Sequence, residues 1–416
     1  MKEFEKIIGY SSVKTELECI CDTLRNAEKY EKLGVKTMQG ILLYGMPGVG
    51  KTLMANCFAK ATGRKVFLCR KDRPDGDFVN TIREVFEKAK AQAPSIVFLD
   101  DMDKFANEDE RHVNAEEYVT VQSCIDDVKG CGVFVIATAN DIDDLPTSLI
   151  RAGRFDKRIY VDVPKGKEAA LIVRHYLSDK QYVGDIDPEE IARIMDGHSC
   201  AELENVINAA GILAGFAGKE KIDADDIFRA CLRTLYDAPE SNDENEFVEG
   251  IACHEAGHAV ISEVLDEGSV TLVSLSCHDG NTKGFSSVNT NDNYFLSKKL
   301  MEERVIMLLG GRAATELVYG TVDVGANSDL NRAFRIVERF VDDYCAFGFD
   351  KFESHSSSDT LLENKEKCIA AEMDRYYMRA KQILAENRDF LLRLSHALVE
   401  KRMLRGSEVR SLRNAA

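Results

Sequence analysis

ILLYGMPGVGKTLMANCFAKA, residues 41–61, sets the fold of the first half of this 416-residue chain. Four apolar residues, 41–44, read as a short buried strand. A glycine-rich loop follows, and from Thr52 onward the apolar residues return at helical spacing. Gly45, Gly50, Lys51 and Thr52 satisfy the pattern G-x-x-x-x-G-K-[ST], with Pro47, Gly48 and Val49 between them. Backbone N–H groups in such a loop turn inward around phosphate oxygens, and the helix that follows adds its dipole. Lys51 is placed to reach the β- and γ-phosphates and Thr52 to ligate Mg²⁺.

Working outward, residues 66–68, 96–99 and 133–137 are further short apolar runs separated by helical stretches such as TIREVFEKAKA. Strand–helix alternation of this kind predicts a parallel sheet covered on both faces. IVFLDDMD, residues 96–103, delivers Asp100 at a strand end, where it can hold the Mg²⁺ shell. Asp101 stands where P-loop ATPases carry their water-activating carboxylate. Asn140, closing VIATAN, is placed to position the attacking water from an adjacent strand. From about residue 167 to 235 the strand signals stop and amphipathic helices follow one another. The acidic, apolar-poor stretch 236–247 reads as a linker, and the rest is mostly helical, with strands in VTLVSLS and GFSSV.

Composition narrows the function. A formal charge of −17 opposes broad nucleic-acid binding, which needs a surplus of Lys and Arg. Twelve cysteines without regular spacing read as reduced thiols in a cytoplasmic chain. No secretory signal opens the sequence, and no run approaches the roughly 18 apolar residues of a membrane-spanning helix.

A second chemistry stands in CHEAGHAV, residues 253–260. On a helix His254 and His258 lie one turn apart on one face, so both imidazoles can meet one Zn²⁺. Glu255 beside them can take a proton from a water attacking a carbonyl. Zinc needs a third protein ligand, and spacing alone does not select it. His278 and His396 read as surface or core residues.

The first motif set resembles the AAA+ ATPase module. There, arginines at the positions of Arg151 and Arg154 act in trans on nucleotide held by a neighbouring subunit, which implies a homo-oligomeric ring, typically a hexamer. FEKIIGY is similar to the adenine-contacting segment, with Ile8 and Gly9 in place. GHSCAELENV, residues 197–206, resembles the second sensor of a helical lid, with Cys200 and Ala201 near the nucleotide. HEAGHAV, then MLLGGRAATELVYG (307–320), then VGANSDLNRA (324–333), are similar to the FtsH family of ATP-dependent zinc proteases. In that family the aspartate of the last segment is the third ligand, which maps to Asp329.

The resemblance covers residues 4–412 and implies a multidomain protein. An α/β AAA+ core spans 1–164, a helical lid 165–236, a linker 237–248 and a mainly α-helical zinc metallopeptidase domain 249–416. It implies one Zn²⁺ per subunit, ATP and Mg²⁺ as cofactors, and protein or peptide substrates. The implied function is an ATP-dependent metalloendopeptidase that unfolds and degrades proteins. The alternatives are a remodelling ATPase with little proteolysis and a zinc peptidase poorly coupled to ATP.

Three departures stand out. The family normally places membrane-spanning helices ahead of the ATPase, facing it to the cytoplasm, whereas this chain starts at the ATPase boundary. Asp101 replaces the usual glutamate; a displacement of roughly 1 Å can cost about 100-fold in rate, so turnover is expected to be slow and a longer carboxylate to raise it. The pore loop that grips substrate is shortened, with Phe78-Val79-Asn80 as its candidate; Phe78 also reads as a helix-start staple or core residue.

Overall fold

The computed structural model describes residues 2–36, 38–71, 77–106, 115–184, 186–235, 248–275, 284–288, 297–321, 327–348 and 359–415. The stretch read as a linker lies outside them up to residue 247, as does His278. The chain divides into two compact units, Met1–Asp226 and Ile227–Ala416.

The first unit opens with helices α1 (Ser11–Arg25) and α2 (Ala27–Glu31). Strand β1 (Gly40–Tyr44) then leads through the glycine loop into α3 (Lys51–Thr62), followed by β2 (Lys65–Cys69), α4 (Phe78–Ala91) and β3 (Ser95–Leu99). Next come α5 (Glu116–Asp127), β4 (Val133–Ala139) and β5 (Lys157–Tyr160). All five strands pair in parallel in the order β2-β3-β4-β1-β5. β3 and β4 are buried along their whole length and β1 along all but its last residue, which is why they read as unbroken apolar runs. The carboxyl ends of these three strands lie side by side, the place where open α/β sheets bind ligands.

β5 is absent from the sequence reading for a physical reason. It is a four-residue edge strand, KRIY, in which only Ile159 is buried, so neither its length nor its pattern announces a strand. Phe78 is settled by its packing. It begins α4 behind an Asp77 cap that accepts from Asn80 N–H, and its ring meets Phe105 edge-on at 4.9 Å. The aromatic offered as a substrate grip is therefore held in the core's margin.

Helices α6 (Gly166–Leu177), α7 (Pro188–Ile194), α8 (Cys200–Phe216) and α9 (Ala224–Leu235) follow without a strand, as the sequence indicates. A capping box between Ser199 and Glu202 fixes the start of α8.

The second unit is built around α10 (Val248–Leu265), the helix carrying both histidines. Residues 252–257 and 259–263 of α10 are buried, so it is a core helix with no solvent stripe. Around it stand β6 (Val270–Ser274), β7 (Phe285–Val288), α11 (Lys298–Leu308), α12 (Gly310–Tyr319) and α13 (Asn327–Asp342). Long α14 (Asp359–Glu386), α15 (Arg388–Lys401), β8 (Met403–Arg405) and α16 (Gly406–Asn414) complete the unit. β7-β6-β8 form an antiparallel sheet. Three-residue β8, inside a tail that reads as helical, is the other strand the sequence conceals. Among the described residues no helix is long and apolar enough to cross a membrane.

Candidate functional site

In the first unit the glycine loop wraps a lysine. Gly48 and Gly50 hold φ of 79° and 96°, a region that L side chains rarely adopt, and this lets the loop curl. Lys51 is buried, its Nζ donating to Gly45 O at 2.7 Å, Met46 O at 2.8 Å and Asn140 Oδ1 at 3.0 Å. Burial pulls its ammonium below the ordinary lysine range, opposed by Asp103, Asp101 and Asp100. Thr52 Oγ1 donates to Asp100 Oδ1 at 3.0 Å, and Thr138 Oγ1 on β4 donates to the same oxygen at 2.8 Å. The two residues expected to share Mg²⁺ are therefore already in contact.

Asn140 is oriented at both ends of its amide. Oδ1 faces Lys51, while Nδ2 donates to Asp103 Oδ2 at 2.8 Å. Asp101 stands in the left-handed region, φ 53° and ψ 53°, with its N–H donating to Thr138 Oγ1 at 2.9 Å and its carboxylate on Lys104 at 2.9 Å.

A cavity of about 720 Å³ joins these groups. Ile8, Pro47, Gly48, Val49, Gly50, Lys51, Thr52, Asp101, Asn140 and Ala201 all line it. Gly45 and Asp100 do not; each is held against a group that does, through Lys51 and Thr52. Gly9 makes a left-handed turn against Glu168 of α6. Ala201 N–H donates to Gly48 O at 3.1 Å, which ties the start of α8 to the loop. Ile172, His175 and Tyr176 of α6 also line the cavity and escape the sequence reading. Their i, i+3, i+4 spacing marks a helix face, but nothing local says what that face meets.

The two arginines part company. Arg151 is exposed. Arg154 is buried, its side chain 8% exposed, with Nη2 donating to Asp126 Oδ2 at 2.7 Å, Nη1 to Gln122 Oε1 at 2.8 Å, and Nη1 also to Ser148 O. Neither lines the cavity.

In the second unit the fold brings His254, His258 and Asp329 together. Asp329 lies in the first turn of α13, 71 residues beyond His258, and both it and the histidines' Nε2 atoms converge. Nε2 of His258 is 3.1 Å from Nε2 of His254; Asp329 Oδ2 is 3.4 Å and 3.3 Å from the two nitrogens. A tetrahedral ion with bonds of about 2.0–2.1 Å needs ligand atoms about 3.3–3.4 Å apart, so the three edges fit zinc. His258 Nδ1 sits 2.7 Å from the Met307 carbonyl, which can only accept. That contact puts the proton on Nδ1 and leaves the Nε2 lone pair for a metal. Burial alone would raise the Asp329 carboxyl; hydrogen bonds with His254 and His258 outweigh it and hold the group well below the ordinary carboxylate range.

Glu255 is buried, 7% exposed, and Ser286 Oγ lies 3.1 Å from its Oε2. Burial pushes its carboxyl above the ordinary range, against the pull of His258, His254 and Ser286. Helix α12 presses close through glycines. A Cβ on Gly257 would stand 2.6 Å from Ala314 Cβ, and one on Gly311 would stand 2.5 Å from Cε1 of the His254 ring. Met307 and Gly311 lie in a segment marked only by likeness to a family, and Ser286 in one read only as a strand; nothing local gives any of them a role, because each acts on α10 from a distant element.

Comparison with known proteins fits both halves. Residues 41–163 match the ATPase family associated with various cellular activities (AAA), and residues 242–412 match peptidase family M41. The ATP-dependent zinc metalloprotease FtsH 2 of Thermoanaerobacter sp. (strain X514) is 32% identical over 426 residues, covering 98% of this chain and 82% of its own length. The chain belongs to the FtsH family of ATP-dependent zinc metalloproteases. Further members that it resembles are the FtsH of Caldicellulosiruptor bescii, at 33% identity over 98% of this chain and 71% of that protein, and that of Bacillus subtilis, at 31% over 99% and 69%. Membership implies Zn²⁺, ATP and Mg²⁺ as cofactors, and the His254–His258–Asp329 cluster has the donors and spacing for the first.

Proposed function

We propose that this chain is an ATP-dependent zinc metalloendopeptidase that assembles with copies of itself, as a hexameric ring, and degrades protein substrates. The observation that carries the reading is the zinc-sized triangle of His254, His258 and Asp329 beside a buried Glu255, in a chain that also carries a complete phosphate loop. Bound Zn²⁺ would supply Lewis acidity toward a peptide carbonyl and would acidify a water molecule. Everything else belongs to the chain's own groups. His254, His258 and Asp329 hold the metal, and the Met307 carbonyl keeps His258 in the ligating tautomer. Glu255 takes the proton from the attacking water and passes it to the departing amine.

On the ATPase side, Lys51 meets the terminal phosphates, and Thr52 with Asp100 holds Mg²⁺. Asp101 and Asn140 orient the attacking water, while Ile8, in the segment likened to the adenine contact, and Ala201 line the same cavity. Exposed Arg151 is the group that a neighbouring subunit can offer in trans. In this reading residues 1–164 are the AAA+ core, 165–236 the lid, 237–248 the linker and 249–416 the peptidase. A reducing, cytoplasmic setting agrees with the twelve cysteines of the sequence, which follow no regular spacing.

Metal analysis combined with casein degradation, with and without ATP, tests the proposal. One zinc per chain and fragment release that requires ATP are expected. A metal-free chain, or cleavage indifferent to nucleotide, refutes it.

A further inference from the structure

We propose that Ser286, on strand β7, is a positioning residue that aims the Glu255 carboxylate, with Gly284 supplying the space in which it is aimed; this rests on the zinc-peptidase reading. β7 is an outer strand of the β7-β6-β8 sheet, in register with β6 through Val273–Ser286 and Ser274–Phe285. That register turns Ser286 onto α10. Its Oγ lies 3.1 Å from Glu255 Oε2 and 3.1 Å from the Glu255 carbonyl oxygen. A hydroxyl carries one proton, and an ionised carboxylate is the stronger acceptor of the two. Ser286 thus anchors Oε2 and leaves Oε1 to take the proton.

Gly284 closes the other side. A Cβ there would stand 2.9 Å from Glu255 Cγ, 3.0 Å from Oε1 and 3.1 Å from the Ser274 carbonyl oxygen. Any side chain at 284 would push against the carboxylate from the strand side. The base is therefore held between a hydrogen bond from β7 and the bare backbone of the residue that leads into it. A carboxylate on a three-torsion arm has several rotamers, and only a fraction presents an oxygen where the proton leaves. Fixing the arm raises that fraction without altering substrate contacts. The device should act on kcat and leave KM alone.

The test uses the full chain loaded with zinc, an unfolded fluorogenic peptide, and equilibrium binding of a peptide hydroxamate, which ligates zinc and hydrogen-bonds to the neighbouring base. Ser286→Ala should keep one zinc per chain and its KM within about twofold, lower kcat by roughly ten- to a hundredfold, and weaken hydroxamate binding about tenfold. Ser286→Thr, which keeps a hydroxyl on Cβ, should recover kcat to within about threefold. In a Glu255→Gln background Ser286→Ala should add no further loss of hydroxamate binding, since the two residues act as one unit. A zinc-loaded, active parent whose Ser286→Ala variant keeps its kcat overturns the assignment. So does an equal loss of hydroxamate binding in the Glu255→Gln background, which would make Ser286 a fold residue. A parent that holds no zinc and cuts no peptide overturns the peptidase reading itself, and this assignment with it.

Discussion

Gly311→Ala adds one methyl group and directs it at a metal ligand. The new Cβ would stand 2.5 Å from Cε1 and 2.6 Å from Cδ2 of the His254 ring. To regain ordinary contact the ring must retreat by roughly 0.9 Å, whereas metal sites tolerate ligand displacements of about 0.2 Å. α12 is held from behind by α14, where Lys381 Nζ donates to Glu316 Oε1 at 2.8 Å and Tyr377 OH donates to the same carboxylate, so the strain falls on the ring. Loss of an outer-shell partner costs about 10–100-fold in metal affinity, and displacing a ligand itself should cost at least the upper figure, about 2.7 kcal/mol. Overpacking of this kind commonly removes about 1–3 kcal/mol of stability besides. Zinc affinity measured by competition with a chromogenic chelator should therefore fall at least about a hundredfold. Peptide cleavage should vanish at limiting zinc and return in part with excess zinc, while ATP hydrolysis stays near the parental rate. A Gly311→Ala protein that binds zinc with parental affinity and cleaves normally would refute the claim that α12 sets the His254 ring.

Glu255→Gln keeps the size of the side chain and removes the base, so the variant should retain one zinc per chain and full ATPase activity yet release no fragments; parental cleavage in a gel assay would exclude Glu255 as the proton carrier. Arg151→Ala should lower ATP turnover by about 10³-fold with the thermal midpoint unchanged, as a charge supplied in trans requires. Arg154→Ala should instead lower stability by about 1–2 kcal/mol through lost charged hydrogen bonds, read from denaturant unfolding; unaltered stability with an equal loss of turnover would give Arg154 the trans role. Arg154 holds the Asp126 carboxyl down at about 2, so the pair's contribution is complete above the ordinary aspartate range and is lost as pH falls through about 2. Asp101→Glu, expected from side-chain length alone to raise ATP turnover, should lower it, because the left-handed backbone at 101 suits aspartate better than glutamate; a several-fold rise in kcat would make length the deciding factor.

What the sequence alone determined is local. The phosphate loop, its strand and its helix are contiguous, so glycine placement and one helical period suffice to define them. The same holds for His254 and His258, one turn apart on α10. The buried central strands β1, β3 and β4 announce themselves as apolar runs, whereas edge strand β5 and three-residue β8 carry too little buried surface to do so. Asp329 came only through likeness to a family, since a 71-residue gap has no periodicity to read. Tertiary structure alone decided that Phe78 packs on Phe105, that Arg154 turns to Asp126 while Arg151 stays exposed, and that Asp101 bends left-handed. It alone brought Met307, Gly311 and Ser286 onto the zinc helix from α11, α12 and β7. The division has one physical cause: groups that perform the chemistry need particular side chains in a short local pattern. Groups that aim them need only a carbonyl, a hydroxyl or the absence of a Cβ, which any part of the chain can supply once folding brings it close.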